Sequence, residues 1–442
     1  MTPSNVTALV LVLWLSAVPA VAQEVLTLEG AVRDALAHNA SLRAAQAAAA
    51  EASEHVGEAG AGWLPRLSFT ETWQRGDQPV FVFSSLLASR QFTATDFAID
   101  ALNHPDSTGF FRSSIGAEQL IFDGGRQRSA VESARLRSDM SKLAVDEAAA
   151  SLASAATETY GRILIAEAGA RAAHAALQFV EEDLARAERR RDAGMATDAD
   201  VLALDAEVAA LRQREIDRQA DAAIAKAELN RLTGSPIDRS YQVSEPLAGA
   251  DVSVMPLSAA LAAADANRPE LKRAEMAIKL ADAERKSVRT SVIPQVAAQA
   301  AFDLSGTSVN TRAQSWIVGG ELRWNFSLGG AELARSRAAG HAQVRAAADA
   351  EDVRARVRVE VVTAFRRLEA ARARQAVGRT AVNQARERQR IIRDRFDAGM
   401  SGVTDVLQAS SALTEAEAQR VAAVVDAINS DALLRRAIGR HP

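Results

Sequence analysis

The side chains able to do covalent or metal chemistry are few and scattered in this 442-residue sequence. Its six histidines (His38, His55, His104, His174, His341 and His441) include no pair at the helical spacing a metal site needs. There is no cysteine. That excludes disulfides, thiolate metal sites, cysteine nucleophiles and a lipid-anchored N-terminal cysteine together. Gly57, Gly60 and Gly62 make no dinucleotide turn, because no strand precedes them. Acids and bases are abundant, but they fall on helix faces at solvated spacing. The residues predict no catalytic constellation, no cofactor site and no metal site, and the chain does not read as an enzyme.

What the sequence does offer is repetition. Asp192-Ala193-Gly194-Met195 returns as Asp397-Ala398-Gly399-Met400, and Asp200-Val201-Leu202 returns as Asp405-Val406-Leu407, both 205 positions later. A glycine just past a helix end, followed by an acidic first turn, stops one helix and starts the next. The chain therefore makes one helical hairpin twice, and this internal repeat governs the architecture. Arg186, Arg189, Arg190 and Arg191 cluster before the first copy. They fit a solvated face complementing a helix C-terminus, or a docking surface for an acidic partner.

Composition agrees with long, closely packed helices. The sequence is rich in Ala, Arg, Glu, Leu and Val and poor in aromatics. A net charge of −4, with bases dispersed among acids, gives no reason to expect a nucleic-acid partner. Val6 to Val18 is an apolar run of signal-core length, too short to span a bilayer. Ala20-Val21-Ala22 offers a cleavage site that would leave Gln23 first. No Lys or Arg precedes the run, and a buried N-terminal helix is the other reading.

Leu28 to Gly62 carries helical spacing, which Pro65 ends. Trp63-Leu64-Pro65-Arg66-Leu67 corresponds to Val292-Ile293-Pro294-Gln295-Val296, 229 positions later. After each proline the period changes to two. Val296, Ala298, Ala300, Phe302 and Leu304 alternate with more polar neighbours. So do Trp316, Val318, Gly320, Leu322, Trp324 and Phe326. The pattern predicts a strand pair over 295–326, with a turn near Ser305–Thr311. Its length and aromatic ends suit a transmembrane strand pair, or an amphipathic hairpin on a soluble core. In the earlier pair, 66–122, Leu67, Phe69 and Trp73 share a face with Glu71 among them, and the register of the returning strand stays open. The insert between those strands is longer than its counterpart by about 24 residues.

Each strand pair ends in a double glycine, Gly124-Gly125 and Gly329-Gly330. A helical pattern of about 66 residues follows each, or roughly 100 Å. The two shorter helices of a half sum to about that length. Each half thus predicts a rod of one long helix beside two short ones, with strands at one end and a tip at the other. The expected organisation is a signal peptide at 1–22 and a first repeat at 23–234 with its tip at 192–198. A linker at 235–256 then leads to a second repeat at 257–442 with its tip at 397–403.

These landmarks resemble the TolC family of outer-membrane efflux and secretion channels. The carriers are the paired halves, Pro65 and Pro294 at the helix-to-strand change, and the Gln119-Leu120-Ile121-Phe122-Asp123-Gly124-Gly125 strand exit. The tips at Gly194-Met195 and Gly399-Met400 and the Asn267-Arg268-Pro269-Glu270-Leu271 opening add to them. The resemblance covers essentially the whole mature chain.

It implies a mainly α fold with transmembrane β: a homotrimer in which each protomer gives four strands to a twelve-stranded outer-membrane barrel, continuous with a periplasmic α-helical barrel. It implies a Gram-negative outer-membrane location and passive conduction for a tripartite efflux pump or type I secretion system, while the lack of cysteine is what predicts no lipid anchor. The implied partners are outer-membrane lipid, a periplasmic membrane-fusion adaptor and an inner-membrane transporter of RND or ABC type. Gly194, Met195, Gly399 and Met400 would meet the adaptor. Asp200 and Asp405 would lie inside the entrance, where three copies form acidic rings. Both also suit helix capping, Asp200 with Thr197 as a capping box. Gln408 stands where some members carry a further acid. Gln295, Gln299, Asp303, Glu321 and Arg323 would line the barrel lumen. The other reading is a coiled-coil envelope protein without a through-channel.

Overall fold

The structure is a computed structural model that describes residues 25–244, 255–325 and 328–440. The expected export signal, Phe326, His441 and residues 245–254 of the 235–256 linker lie outside the described residues. The chain divides into two compact units, and each draws on both sequence halves. One comprises Met1–Asn39, Ala153–Val252 and Ala370–Asn429; the other comprises Ala40–Leu152, Ser253–Glu369 and Ser430–Pro442.

In chain order, β1 (Val25–Leu26) leads into α1 (Leu28–His38) and α2 (Ala40–Ala61). Then come β2 (Arg66–Gly76), α3 (Pro79–Ala88), a 3-10 turn at Ala94–Phe97, α4 (Ile99–Asn103) and β3 (Thr108–Phe122). The helices α5 (Arg126–Asp192) and α6 (Asp198–Thr233) meet at the first tip. After β4 (Gln242–Val243) the second half runs α7 (Leu257–Asn267), α8 (Pro269–Thr290), β5 (Gln295–Gly306), β6 (Ala313–Arg323), α9 (Ala331–Asp397) and α10 (Val403–Ala437). Pro65 and Pro294 each stand immediately before a strand, where the missing N–H costs the sheet nothing.

One expectation is corrected. The helix read from Leu28 to Gly62 is two helices, broken at Asn39, whose ψ of 129° is extended. The cause is tertiary and recurs. Asn39 Nδ2 donates to Leu232 O at 2.9 Å, capping the end of α6. In the other unit, Arg268 at the α7–α8 break donates from Nη1 to Arg436 O at 3.1 Å, at the end of α10. Each capped helix then ends in a left-handed glycine, Gly234 and Gly439. A Cβ at Gly234 would come within 2.6 Å of His38 O, and one at Gly439 within 2.8 Å of Asn267 C. So a helix break and a helix end lock together twice. Arg268 is buried there, paired with Glu360 at 2.7 Å and Glu270 at 2.9 Å.

Among the described residues, the strands of the first unit are those of the parallel β1–β4 ladder, which Tyr160 seals with its hydroxyl 2.9 Å from Leu26 O and 2.7 Å from Ser244 O. Its core near the tips is Leu177, Val180, Val201, Leu204, Val208 and Leu211, with Val403 and Leu407 packed against it. The second unit holds the four-stranded sheet in the order β2-β3-β5-β6, antiparallel throughout. Its helical core gathers Leu271, Val357, Val361, Phe365, Leu368 and Leu434. Among the described residues, no helix is long and apolar enough to cross a membrane.

Candidate membrane face, lumen face and tip turns

The sheet register sorts side chains onto two faces, because neighbours along a strand point oppositely. On one face Phe69, Ile115, Phe302 and Trp316 stand in a single row across all four strands. The adjacent row is Leu67, Ala117, Ala300 and Val318. The large side chains of both rows are open to solvent in the isolated chain, Trp316 at 76% and Leu67 at 73%. A patch this wide and apolar marks a surface meant for a partner or for lipid. Its strands, 11 to 15 residues long, reach the length needed to cross a hydrocarbon layer at a tilt.

Glu71, a carboxylate on that face, has its charge answered. It stands opposite Ser113, whose hydroxyl bonds to it, and Arg312 Nη2 donates to Glu71 Oε1 at 3.0 Å. Arg312 also bonds to the Ser113 hydroxyl. Trp73 and Phe111 form the next row beyond, their rings 6.3 Å apart.

The opposite face collects Gln295, Gln299, Asp303, Glu321 and Arg323 with Thr70, Arg112 and Ser114. Gln299 donates to Glu321 at 2.5 Å, and Arg323 holds Glu321 at 2.8 Å. Ile317 is an apolar exception. The sequence expectation put the five residues from Gln295 to Arg323 together, and the register brings them to one face. β2 and β6 are the outer strands, each paired on one side.

The strand exits are built by glycine and aspartate. Gly124 and Gly125 have φ of +70° and +93°, and Gly330 has +71°. Asp123 accepts from Gly125 N at 2.9 Å and from Gln127 N at 2.5 Å, starting α5.

At the tips, Gly194 and Gly399 both have φ of +72°. Met195 N donates to Arg190 O at 2.7 Å and Met400 N to Arg395 O at 2.8 Å, the six-to-one bond of a Schellman stop. The turn thus pushes Met195 and Met400 outward, and each is 72% exposed. Asp200 accepts from Thr197 N at 3.0 Å and from its hydroxyl at 2.8 Å, which holds its carboxyl below the usual carboxylate range. Asp405 accepts from Gly402 N at 3.2 Å. Both aspartates are thus engaged at helix starts. A cavity of about 180 Å³ beside them is lined by Asp183, Arg190, Met195, Asp200, Phe396 and Val406.

Four tip residues escaped the sequence reading as a set. The Arg190 guanidinium lies 5.2 Å from the Phe396 ring and that of Arg393 lies 4.6 Å from Phe179. These crossed stacks join the first hairpin to the second. Of the arginine cluster, Arg186 pairs with Asp183, Arg190 takes this stack, and Arg191 pairs with Asp192 at 2.8 Å. Among the described residues, no group of three or more His, Asp or Glu is placed to hold a metal ion.

The apolar sheet face, the polar face behind it and the twice-repeated tip are those of the outer-membrane channel fold, and comparison with known proteins gives the family. The outer membrane efflux protein family matches residues 31–235 and 260–440, and the chain belongs to it. Its fold is that of solved outer-membrane channels. The Campylobacter jejuni CmeC channel superposes with a TM-score of 0.81 at 16% identity, covering 93% of this chain and 85% of that one. The Vibrio cholerae outer membrane protein VceC gives 0.77 at 19%, covering 93% and 96%. The Neisseria gonorrhoeae MtrE channel, solved in its open state, gives 0.76 at 20%, covering 94% and 89%. These structural neighbours are channels, not enzymes. No curated protein matches the sequence.

Proposed function

We propose that three copies of this chain assemble into an exit duct through the outer membrane and periplasm, serving a tripartite efflux pump or a type I secretion system. The observation that carries the reading is the exposed apolar face on a sheet with two open edges. Lipid tolerates no unpaired strand edge, and four strands cannot close on themselves. Three copies supply twelve strands, enough for a barrel with the apolar face outward. Gln295, Gln299, Asp303, Glu321 and Arg323 then line a wet lumen. The two halves, 23–234 and 257–442, act as structural repeats joined by the 235–256 segment, with an export signal at 1–22 removed on the way out.

In this reading the exposed Gly194-Met195 and Gly399-Met400 turns meet a periplasmic adaptor. An inner-membrane transporter of RND or ABC type supplies the energy, and conduction through the duct is passive. Asp200 and Asp405 ring the entrance in three copies and hold cations there. In planar bilayers, divalent cations then block the wild type more strongly than Asp405→Ala; equal block removes the ring from the account. For the duct itself, detergent-extracted protein imaged by electron microscopy is expected as a three-fold hollow cylinder with a detergent belt at one end. A solid rod without a belt would overturn it in favour of an envelope scaffold.

A further inference from the structure

The segment between β2 and β3 does more than connect them. It leaves the outer strand β2 at Gly76 and turns α3 back over the polar face of the sheet. The Phe81 ring meets Phe110 edge-on at 6.3 Å and lies 3.7 Å from where a Gly76 Cβ would stand. Gly76 and Phe110 both belong to the polar face by register. On the same face, Ser305 of β5 is covered to 1% exposure, and Val82 and Ser85 of α3 are buried. Arg90 then donates from Nη2 to Gln314 O of β6 at 3.0 Å, and the Thr307 hydroxyl donates to Gln91 Oε1 at 2.8 Å. The insert therefore crosses all four strands. The size fits: α3 has ten residues, about 15 Å, against roughly 14 Å for three strand spacings.

We propose that this insert, residues 77–107, is a plug that closes the outer mouth of the duct in three copies. The inference rests on the duct reading, which makes the polar face the lumen. Twelve strands about 4.8 Å apart and tilted about 40° close on a radius of roughly 12 Å, an opening of about 450 Å². Each α3 lies across it as a bar about 15 Å by 10 Å, so three cover about the same area. The insert is held together by its own aromatics, Phe83 on Phe92 at 4.8 Å and Phe92 on Phe97 at 4.9 Å, so it packs as a body and not as a loose loop. Val80, Leu87, Ile99 and the outer part of Phe97 are exposed in the single chain. In the proposed trimer the counterpart inserts of the other two copies would cover them. The second half has no such device, since only residues 307–312 join β5 to β6.

The absence of cysteine allows a direct test. Gln299→Cys places one thiol on the polar face, below the insert. Intact cells displaying the full-length trimer are treated from outside with a small maleimide or with one carrying a long polyethylene-glycol chain. The small reagent is expected to label the thiol. The long one is expected to fail, and to succeed once residues 77–107 are replaced by a short turn. If that replacement does not assemble, Val82→Asp unseats α3 and serves in its place. Equal labelling by the long reagent with and without the insert overturns the plug. Failure of the small reagent in every variant overturns the lumen assignment itself, and the duct reading with it.

Discussion

Arg312 donates to Glu71 at 3.0 Å across 241 positions of sequence, joining the turn after β5 to the outer strand β2. The contact lies one row from Phe69 and Trp316, on the face that carries the exposed aromatics. Arg312→Ala would leave the Glu71 carboxylate on that face with Ser113 alone. A charge without its counter-ion there is costlier than the loss of the pair itself. The expected outcome is a lower yield of assembled protein and a melting temperature reduced by several degrees. Glu71→Leu combined with Arg312→Leu is expected to restore both. Thermal unfolding of the extracted protein checks this, and a double variant as poor as the single one would refute it.

The tip turns depend on glycine. At a φ of +72°, Gly194 and Gly399 sit where an L side chain is strained, although a Cβ would meet nothing within 4 Å. Replacing either by Ala is expected to cost about 1 kcal/mol locally through backbone strain alone. The Schellman bonds to Arg190 O and Arg395 O weaken, and Met195 and Met400 lose their fixed outward pose. Affinity for the adaptor, titrated with each variant, should fall severalfold while the assembled protein keeps its melting temperature.

The crossed stacks at the tip offer a separate handle. Each is worth roughly 0.5–1 kcal/mol at an exposed site. Phe396→Leu and Phe179→Leu together should loosen one hairpin from the other while leaving the Leu204–Val208 core in place. Limited proteolysis would then cut sooner within residues 186–205 and 390–407. Unchanged cleavage times would mean that the apolar core alone holds the hairpins.

The two tyrosines report on the helical unit. Burial pushes the Tyr160 phenol above its ordinary range, and pushes Tyr241 up to about 12. A raised value means the neutral form is favoured in the folded state. That contribution is present in full below the unfolded value of about 10 and is lost as pH rises through the folded one. With only two tyrosines in the chain, the native protein should show almost no phenolate absorbance at a pH where the denatured chain is half ionised. A native titration that overlays the denatured one would refute the burial of both rings.

The repeat was legible because it is written in residues with few substitutes: glycine where φ is positive, proline where a strand begins. Gly194 and Pro294 mean the same thing in sequence and in space. Glu71 was legible only as an anomaly, since its partner is 241 positions away and no local pattern links the two. Asn39 was hidden for a related reason. It sits in an Ala-rich stretch with unbroken helical period, and the break comes from its bond to Leu232 O, not from its neighbours. The Phe179–Arg393 and Phe396–Arg190 stacks fall outside the repeat, so counting in steps of 205 passes over them. The 77–107 segment reads as an insert of Ser, Phe and Asp, and its fold depends on a sheet that must already exist.

The central seam of that sheet pairs β3 with β5, from Phe111 against Gly306 to Phe122 against Val296. During synthesis the first of these strands is complete long before the second emerges. All of α5, α6, α7 and α8 is made in between. A nascent chain halted after the first half is left with one two-stranded ribbon, apolar on one side and unpaired along both margins. Such a ribbon is marginal in water and a template for pairing with the wrong strand. Pairings this distant also close slowly. Biogenesis is therefore expected to need a holding factor that shelters residues 66–122 until 295–306 arrives, and loss of such a factor should deplete this protein before it affects exported proteins whose strands pair with near neighbours.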